Sequence, residues 1–537
     1  MKRRWLFPVS LIAAVWALFA RTAAFEFIRL DDHDYTFLCP FVKDGFSWAN
    51  LGAAFADLTH AAIWMPFTYL TYMLDISWFG AGMGPHHLGN VFIHSLNAVL
   101  VFQLVRAVLG RVAGSSRSLR VETAALLAAL WWAIHPLRAE PVCWIAGRKE
   151  LLWTLFSLAG LLCWLVRRRA FDGWTLAAYG CCALACLSKP TAMCFPLLAG
   201  CVAAACPPAE GVRRQSLSLR IGAYLPLLAM AAATGLVAVY SQTHAAGYAE
   251  RSLYTAPLWW RLLNAMVSTG RYLFLSALPL GLHVDRMPLP GRMPDGAVVA
   301  GLALLMATCA LLLACLRGKR CLPWAGFFLV AVAPVLGVFG SFGREAMADR
   351  FVYMPAVGLA VLLGSLLLAL TARQCVCFGV YAMLLAVLSW PLIGTWRNDY
   401  TLFRHVLTLE PDHSRALYHV ASEECARFRN LDLGIEHFRA SLALDYSFDT
   451  AAQLCYALSR RGGEFDFAEV CRYGSDVARN HALDRKGMML EALGRAAMHE
   501  GRWRDAASCL EDSIKAPRRF YSAEEAKRLL AICRQHL

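Results

Sequence analysis

The sequence predicts a mainly α-helical protein: a polytopic bundle of about eleven membrane spans followed by an α-helical repeat solenoid. Three observations carry that prediction. Hydrophobic residues make up 58% of the chain, and the mean hydropathy is +0.47. Only 17% of residues are charged, where soluble domains run near about a quarter. Apolar runs are separated by clusters of arginine, and after Trp396 the chain turns polar with a helical repeat.

The net charge of +14 reports topology rather than a nucleic-acid partner. Arg106, Arg111, Arg117 and Arg120; Arg167 to Arg169; Arg213, Arg214 and Arg220; and Arg317, Lys319 and Arg320 each follow or separate apolar runs. Such an arrangement holds alternate loops on the cytoplasmic side. The 19 cysteines form no disulfide framework, since 12 of them fall between Cys163 and Cys377 in or beside apolar segments. Their spacing matches no metal site, and nothing in it supports a Cys39–Cys143 bridge.

Met1-Lys-Arg-Arg4 precedes an apolar run that extends to Phe27, which reads as a retained anchor with a cytoplasmic N-terminus rather than a cleaved signal. Residues 30–85 then face outward. The second span, near 88–108, carries His86, Asn90, His94 and Asn97 on one face. Such a stripe faces a bundle interior or a wet cavity, or bonds neighbouring helices. Further spans follow near 121–134, 150–166, 173–187, 190–206 and 221–240. They leave the loop from His135 to Lys149 and the turn Ser188-Lys189-Pro190 on the outer side.

Residues 262–282 read as an interfacial or re-entrant segment. Arg271 and Pro279 make a full crossing costly, and a crossing there would put Arg317 and Lys319 outside. Spans near 297–316, 321–340, 351–371 and 376–394 complete the bundle and leave the C-terminus outside. The expected domains are thus 1–395 and 396–537.

Aligned at a 34-residue period, Tyr418, Ala421, Ser422, Cys425, Gly434 and Phe438 mark a first repeat, and Ala468 lies one period after Gly434. After a four-residue insertion, Leu493, Gly494, Ala497, Ala506 and Leu510 repeat the pattern. Small residues at helix crossings with larger ones between are the signature of tetratricopeptide repeats. A helix near Ala523–Gln535 caps the stack.

With the spans placed by charge, the unusual polar groups gather on one side. They are Asp31, Asp32 and Asp34; His86 and His87; His135, Glu140, Arg148, Lys149 and Glu150; Lys189; Arg271; and Arg344, Glu345, Asp349 and Arg350. Carboxylates and cations at a bilayer boundary suit an anionic headgroup on a lipid tail. Bland alternatives pair Arg344 and Arg350 with Glu345 and Asp349, and let Arg148 and Lys149 snorkel. Sugar transfer from a lipid phosphate needs a carboxylate base for the acceptor hydroxyl, a role suited to Asp31 or Asp32. The leaving phosphate needs positive charge, which Lys189 with Arg350 or Arg148 would supply.

Several segments together resemble a known family. They are Ile63-Trp-Met-Pro-Phe-Thr68, Leu74-Asp75, Pro85-His-His-Leu-Gly-Asn90, His94, the run His135 to Glu150, Ser188-Lys-Pro190, Ala348-Asp-Arg-Phe-Val-Tyr353 and Thr395-Trp-Arg-Asn398. The family is the membrane O-mannosyltransferases with C-terminal tetratricopeptide repeats, together with their bacterial relatives. The resemblance implies a GT-C fold glycosyltransferase that uses a polyprenyl-phosphate sugar. It also implies an outward-facing site in which Asp31 and Asp32 are catalytic or bind metal. Two positions depart from the bacterial pattern, which has His where Arg138 stands and an acid where Gly147 stands.

The expected function is transfer of a hexose such as mannose to a hydroxyl, a protein Ser or Thr, on the outer face with inversion. Asp31 and Asp32 are the expected catalytic residues. Substrate or phosphate contacts fall to His86, His87, His135, Glu140, Arg148, Lys149, Lys189, Arg271 and Arg350. A divalent cation is optional, and Asp32, Asp34 and His86 would hold it. The expected partners are the lipid-linked donor, membrane lipid, and a protein or glycan acceptor recruited by the repeats. A bacterial inner membrane would place the site and repeats in the periplasm. The alternative reading is a non-catalytic membrane scaffold that assembles envelope proteins on its repeats.

Overall fold

Backbone polar groups inside a hydrocarbon layer must be satisfied within their own segment, and the apolar runs of this chain accordingly fold as helices. The computed structural model describes residues 5–114, 118–206, 216–245, 257–286, 321–338, 347–478, 486–516 and 523–537. They are helices and connecting turns, with one isolated bridge between Arg286 and Met347. Two compact units divide after Arg397.

In the first unit, α1 (Leu6–Phe19) continues as a tight 3-10 turn to Ala24. The segment expected as an outer loop contains three helices, α2 (Asp32–Tyr35), α3 (Trp48–Ala56) and α4 (Pro66–Phe79). The bundle continues through α5 (Met83–Val112), α6 (Leu119–Ile134), α7 (Ala139–Cys143), α8 (Arg148–Val166), α9 (Gly173–Ser188) and α10 (Phe195–Ala205). Next come α11 (Leu217–Gly222), α12 (Leu225–His244) and α13 (Leu258–Ala277). The unit ends with α14 (Leu322–Val332), α15 (Ala356–Ala369) and α16 (Ala372–Thr395).

Local chemistry sets several boundaries. Ser118 and Asp172 accept from the third backbone amide of α6 and α9, and Thr371 with Gln374 forms a capping box on α16. Helix α5 is the hub, packing against α1, α6, α8 and α15. Its 30 residues span about 45 Å at 1.5 Å per residue.

The chain is an integral membrane protein. Among the described residues, Leu6–Ala24, Met83–Val112, Ile145–Val166, Leu217–His244 and Ala372–Thr395 are long and apolar enough to cross a bilayer. Gly173–Ser188, Pro190–Ala205, Leu322–Val335 and Ala356–Ala369 are shorter apolar helices. The crossing expected near 297–316 lies outside the described residues, as do Arg117, Arg213, Arg214, Arg317, Lys319, Arg320, Arg344 and Glu345. The segment expected to be re-entrant is helical as far as Ala277, within α13, with Arg271 on the exposed side of that helix. Cys39 and Cys143 are separate buried thiols.

The polar stripe of α5 is buried throughout, and its members bond to neighbouring segments. His94 contacts the Tyr353 hydroxyl at 2.7 Å and the Ala133 carbonyl at 3.0 Å. Asn97 donates to the Leu151 carbonyl at 2.9 Å, and Asn90 to that of Trp144 at 2.9 Å. Bonds from α5 to neighbouring helices and turns therefore account for these three positions.

The second unit opens with α17 (Asp399–Leu409) and continues as helix pairs. These are α18 (Ser414–Ala426) with α19 (Leu431–Leu444), α20 (Phe448–Arg461) with α21 (Glu464–Ala478), and α22 (Lys486–His499) with α23 (Trp503–Lys515). A last helix, α24 (Glu524–His536), packs on α23. The leading helices start at Ser414, Phe448 and Lys486, which are 34 and 38 residues apart. A Cβ on Gly434 would collide with the Cys425 sulfur, and one on Gly494 would come within 2.8 Å of Leu510. The expected small residues therefore sit where paired helices cross. Ala468 does not; it is exposed, because α21 begins only 33 residues after α19 and Phe467 takes the position equivalent to Gly434.

Candidate functional site

The acidic stretch after α1 divides into two environments. Asp32 is fully buried, and its carboxylate accepts from the backbone amides of Ile28 at 2.9 Å and Ala146 at 2.8 Å. Such bonds fix a carboxylate and tie the acidic turn to the segment before α8. Asp31 precedes α2 with its side chain 41% exposed, and its Oδ2 lies 3.6 Å from the Lys149 ammonium. That separation is an ion pair without a hydrogen bond.

Lys149, in the first turn of α8, is enclosed by aromatic groups. Its Nζ donates to the Tyr35 hydroxyl at 3.1 Å and stands over the rings of Tyr35 at 4.4 Å and Trp144 at 5.2 Å. The opposite side of the site continues the pattern. The Arg350 guanidinium lies 5.0 Å from Trp144 and 4.8 Å from Phe351, and Lys189 lies 5.5 Å from Phe351. Lys149, Arg350 and Lys189 thus form a row of cations separated by aromatic rings, a geometry that shields like charges while keeping each attracted to a ring face.

Two members of the row carry a dedicated acid. Lys189 pairs with Glu150, whose second oxygen accepts from Trp153 at 2.8 Å. Arg350 pairs with Glu140, which also accepts the Arg350 backbone amide at 3.1 Å. Asp349 pairs with Arg286 at 2.5 Å, so Arg350 does not take its sequence neighbour. These groups come from the first turn of α7, the start of α8, the end of α9 and the turn before α15, so the fold gathers helix ends into one cluster.

Arg148 points elsewhere and does not snorkel. It is buried and reaches Asp75 at 2.6 Å, the Asn90 side-chain oxygen at 2.9 Å and the His86 carbonyl at 2.7 Å. His86 Nδ1 lies 3.0 Å from the same Asp75. Burial works against the Asp75 charge, but Arg148 and His86 outweigh it and hold the carboxyl below the usual carboxylate range.

The remaining expected residues are spread around this centre. His87 is fully buried, edge-on to Phe25. His135 accepts from the Leu137 amide on Nδ1 at 3.2 Å, and its Nε2 meets the Ser276 carbonyl at 3.1 Å. The backbone therefore occupies both of its ring nitrogens. Arg271 stands on the exposed side of α13.

Among the described residues, no group of three or more His, Cys, Asp or Glu side chains could hold a metal ion. Asp32, Asp34 and His86 are not gathered as such a group. Backbone amides take both Asp32 oxygens, and Asp75 takes His86 Nδ1.

Both departures in the run from His135 to Glu150 have a local cause. A Cβ on Gly147 would collide with the carbonyl oxygen of Pro141, so this backbone leaves no room for an acid. Arg138 is buried with its guanidinium 5.2 Å from both Trp132 and Tyr353.

Sequence reasoning missed Asp75 and Glu150 as partners and Tyr35 as a contact. Asp75 did carry a signal: it is the one Asp, Glu, Lys or Arg between Asp57 and Arg106. A lone charge in so apolar a stretch needs a partner.

No family profile matches the chain, and no solved structure matches it either. The chain is similar to protein O-mannosyl-transferase TMTC4 of Homo sapiens, 24% identical over 423 residues, which covers 69% of this chain and 56% of the relative. TMTC4 of Mus musculus is 28% identical over 116 residues, covering 21% of this chain and 16% of the relative. Protein O-mannosyl-transferase TMTC3 of Mus musculus is 30% identical over 97 residues, covering 18% and 9%. The chain spans about half the length of the human relative, and far less of the two mouse proteins is matched.

Proposed function

We propose that this chain transfers a sugar, a hexose such as mannose, from a polyprenyl-phosphate donor to a hydroxyl of a protein acceptor. The observation that carries the reading is one exposed carboxylate, Asp31, 3.6 Å from the end of the cation row that runs from Lys149 through Arg350 to Lys189. Similarity to proteins named protein O-mannosyl-transferases supports the same reaction class.

In the reaction, the acceptor oxygen bonds to the anomeric carbon as the bond from that carbon to the phosphate oxygen breaks. Asp31 takes the hydroxyl proton. The electron pair leaves on the phosphate, whose charge Lys149 meets directly and Arg350 and Lys189 support. Single displacement inverts the anomeric centre. Asp32, Asp75 and Arg148 position the loop and the first turn of α8. On this reading the first unit is a GT-C transferase, and the second presents the acceptor on tetratricopeptide repeats. The active site and the second unit would face the non-cytoplasmic side, the periplasm in a bacterial inner membrane.

The test is transfer of labelled mannose from polyprenyl phosphate to membrane-protein acceptors by the purified chain in lipid. Mass spectrometry of envelope proteins from a deletion strain would identify the product. Wild type should transfer and Asp31→Asn should not. Wild-type transfer by Asp31→Asn overturns the assignment.

A further inference from the structure

Helix α3 is out of balance with the rest of the first unit. Its nine residues carry no charge, yet Ala54 alone is buried. Trp48 is 80% exposed, and Phe55 is exposed as well. The last turn of α4 repeats the pattern, with Trp78 69% and Phe79 62% exposed.

Helices α3 and α4 are tied together at both ends of α3. The Phe46 amide donates to the Ser77 hydroxyl at 2.7 Å, which pins the entry to α3 on the last turn of α4. Gly45 makes the approach possible; it has φ +77°, and a Cβ there would meet the Ser77 oxygen at 2.6 Å. The Trp64 indole donates to the Phe55 carbonyl at 3.1 Å and ties the other end of α3 to the start of α4. Three residues separate Phe79 from α5, which is long and apolar enough to cross a bilayer. In the turns before Trp78 and Phe79, the same helix carries the buried Tyr69 and Tyr72 and the Asp75 that pairs with Arg148.

We infer that α3 and the last turn of α4 form an interfacial shelf whose aromatic side chains lie in the headgroup zone of the bilayer. Tryptophan is enriched at that depth because its ring is apolar while its N–H is polar. An uncharged helix with one buried residue needs an apolar cover, and the adjoining span brings the bilayer edge to this point. The shelf would hold the Asp31 turn and Asp75 at headgroup depth. The inference does not depend on the transferase reading.

The experiment places photoreactive p-benzoylphenylalanine at Trp48 or at Trp78, one site at a time, in the full chain in native membranes. Tyr446, an exposed aromatic of the second unit, serves as control. After irradiation and digestion, peptides containing positions 48 and 78 should carry the mass of a phospholipid, and the 446 peptide should not. Crosslinks from 48 and 78 to another protein or a second copy of the chain, without lipid adducts, overturn the shelf. So does lipid labelling no greater than at 446.

Discussion

Replacing Asp31 and Asp32 separately with Asn should separate catalysis from folding. Asp32 is fully buried, with each carboxylate oxygen accepting one backbone amide. Its amide analogue keeps one acceptor and turns a second donor toward a buried N–H. Losing a charge-assisted bond and leaving that N–H unsatisfied costs about 2–4 kcal/mol. Asp32→Asn should therefore lower the thermal midpoint in detergent by several degrees and lower transfer in step with the folded fraction.

At Asp31 the balance reverses. The side chain is 41% exposed and lies 3.6 Å from the buried Lys149 without a hydrogen bond; the Tyr35 hydroxyl and two ring faces still hold that ammonium when the acid is removed, so the loss is about 1 kcal/mol rather than that of a hydrogen-bonded buried pair. Loss of a general base lowers turnover about 10²- to 10⁴-fold. Asp31→Asn should keep the wild-type midpoint and lose transfer. Thermal shift and sugar transfer on the same preparation decide the matter. An Asp32→Asn protein with an unchanged midpoint but no transfer would refute the division of roles.

Three further outcomes follow from the same geometry. Glu150→Gln leaves the Lys189 ammonium uncompensated in a buried site and should cost about 3–5 kcal/mol; Glu150→Met with Lys189→Met should recover most of the loss in a thermal-shift assay. Asp75→Asn should destabilise at neutral pH, because the folded carboxyl is held below its usual range by Arg148 and His86. Its contribution is present above the unfolded value of about 3.9 and lost as pH falls through the folded value, so wild-type and variant midpoints should converge on acidification. Gly434→Ala should destabilise the second unit, by about 1–3 kcal/mol of overpacking, as its Cβ meets the Cys425 sulfur; proteolysis of the helical repeat reads this.

The helical architecture was legible wherever a physical period recurs along the chain. The spans followed from uninterrupted apolar runs, and the repeats from small residues 34 positions apart. The period failed at Ala468, where one residue lost between Leu431 and Glu464 rotates every later side chain by about 100° around the helix. The acidic stretch was legible as unusual, but the split between its members was not. Whether an aspartate faces solvent or two backbone amides depends on the segment ending at Ala146, more than a hundred positions away. The ion pairs were hidden for the same reason: Glu140 with Arg350 is a long-range choice over the adjacent Asp349. Glycine at 147 reads as a missing acid in sequence, whereas in space it is the close approach of Pro141.

The uneven pairing in the cluster bears on how the proposed reaction would be ordered. Lys189 and Arg350 each hold a carboxylate at hydrogen-bond distance, and breaking such a buried pair is strongly unfavourable. A phosphate arriving at the row meets cations already neutralised there. Lys149 differs, since its acid stands 3.6 Å away and is the exposed one. Its ammonium is the member of the row that can turn to a phosphate oxygen at little loss. Once it does, the Asp31 carboxylate loses its ion-pair partner and can accept from the acceptor hydroxyl instead. Donor binding would thereby prepare the base, and the acceptor hydroxyl would be deprotonated only when a leaving group is in place. Lys149→Gln should then weaken donor binding and also lower turnover at saturating donor. Weakened donor binding with wild-type turnover in that variant would uncouple the two residues.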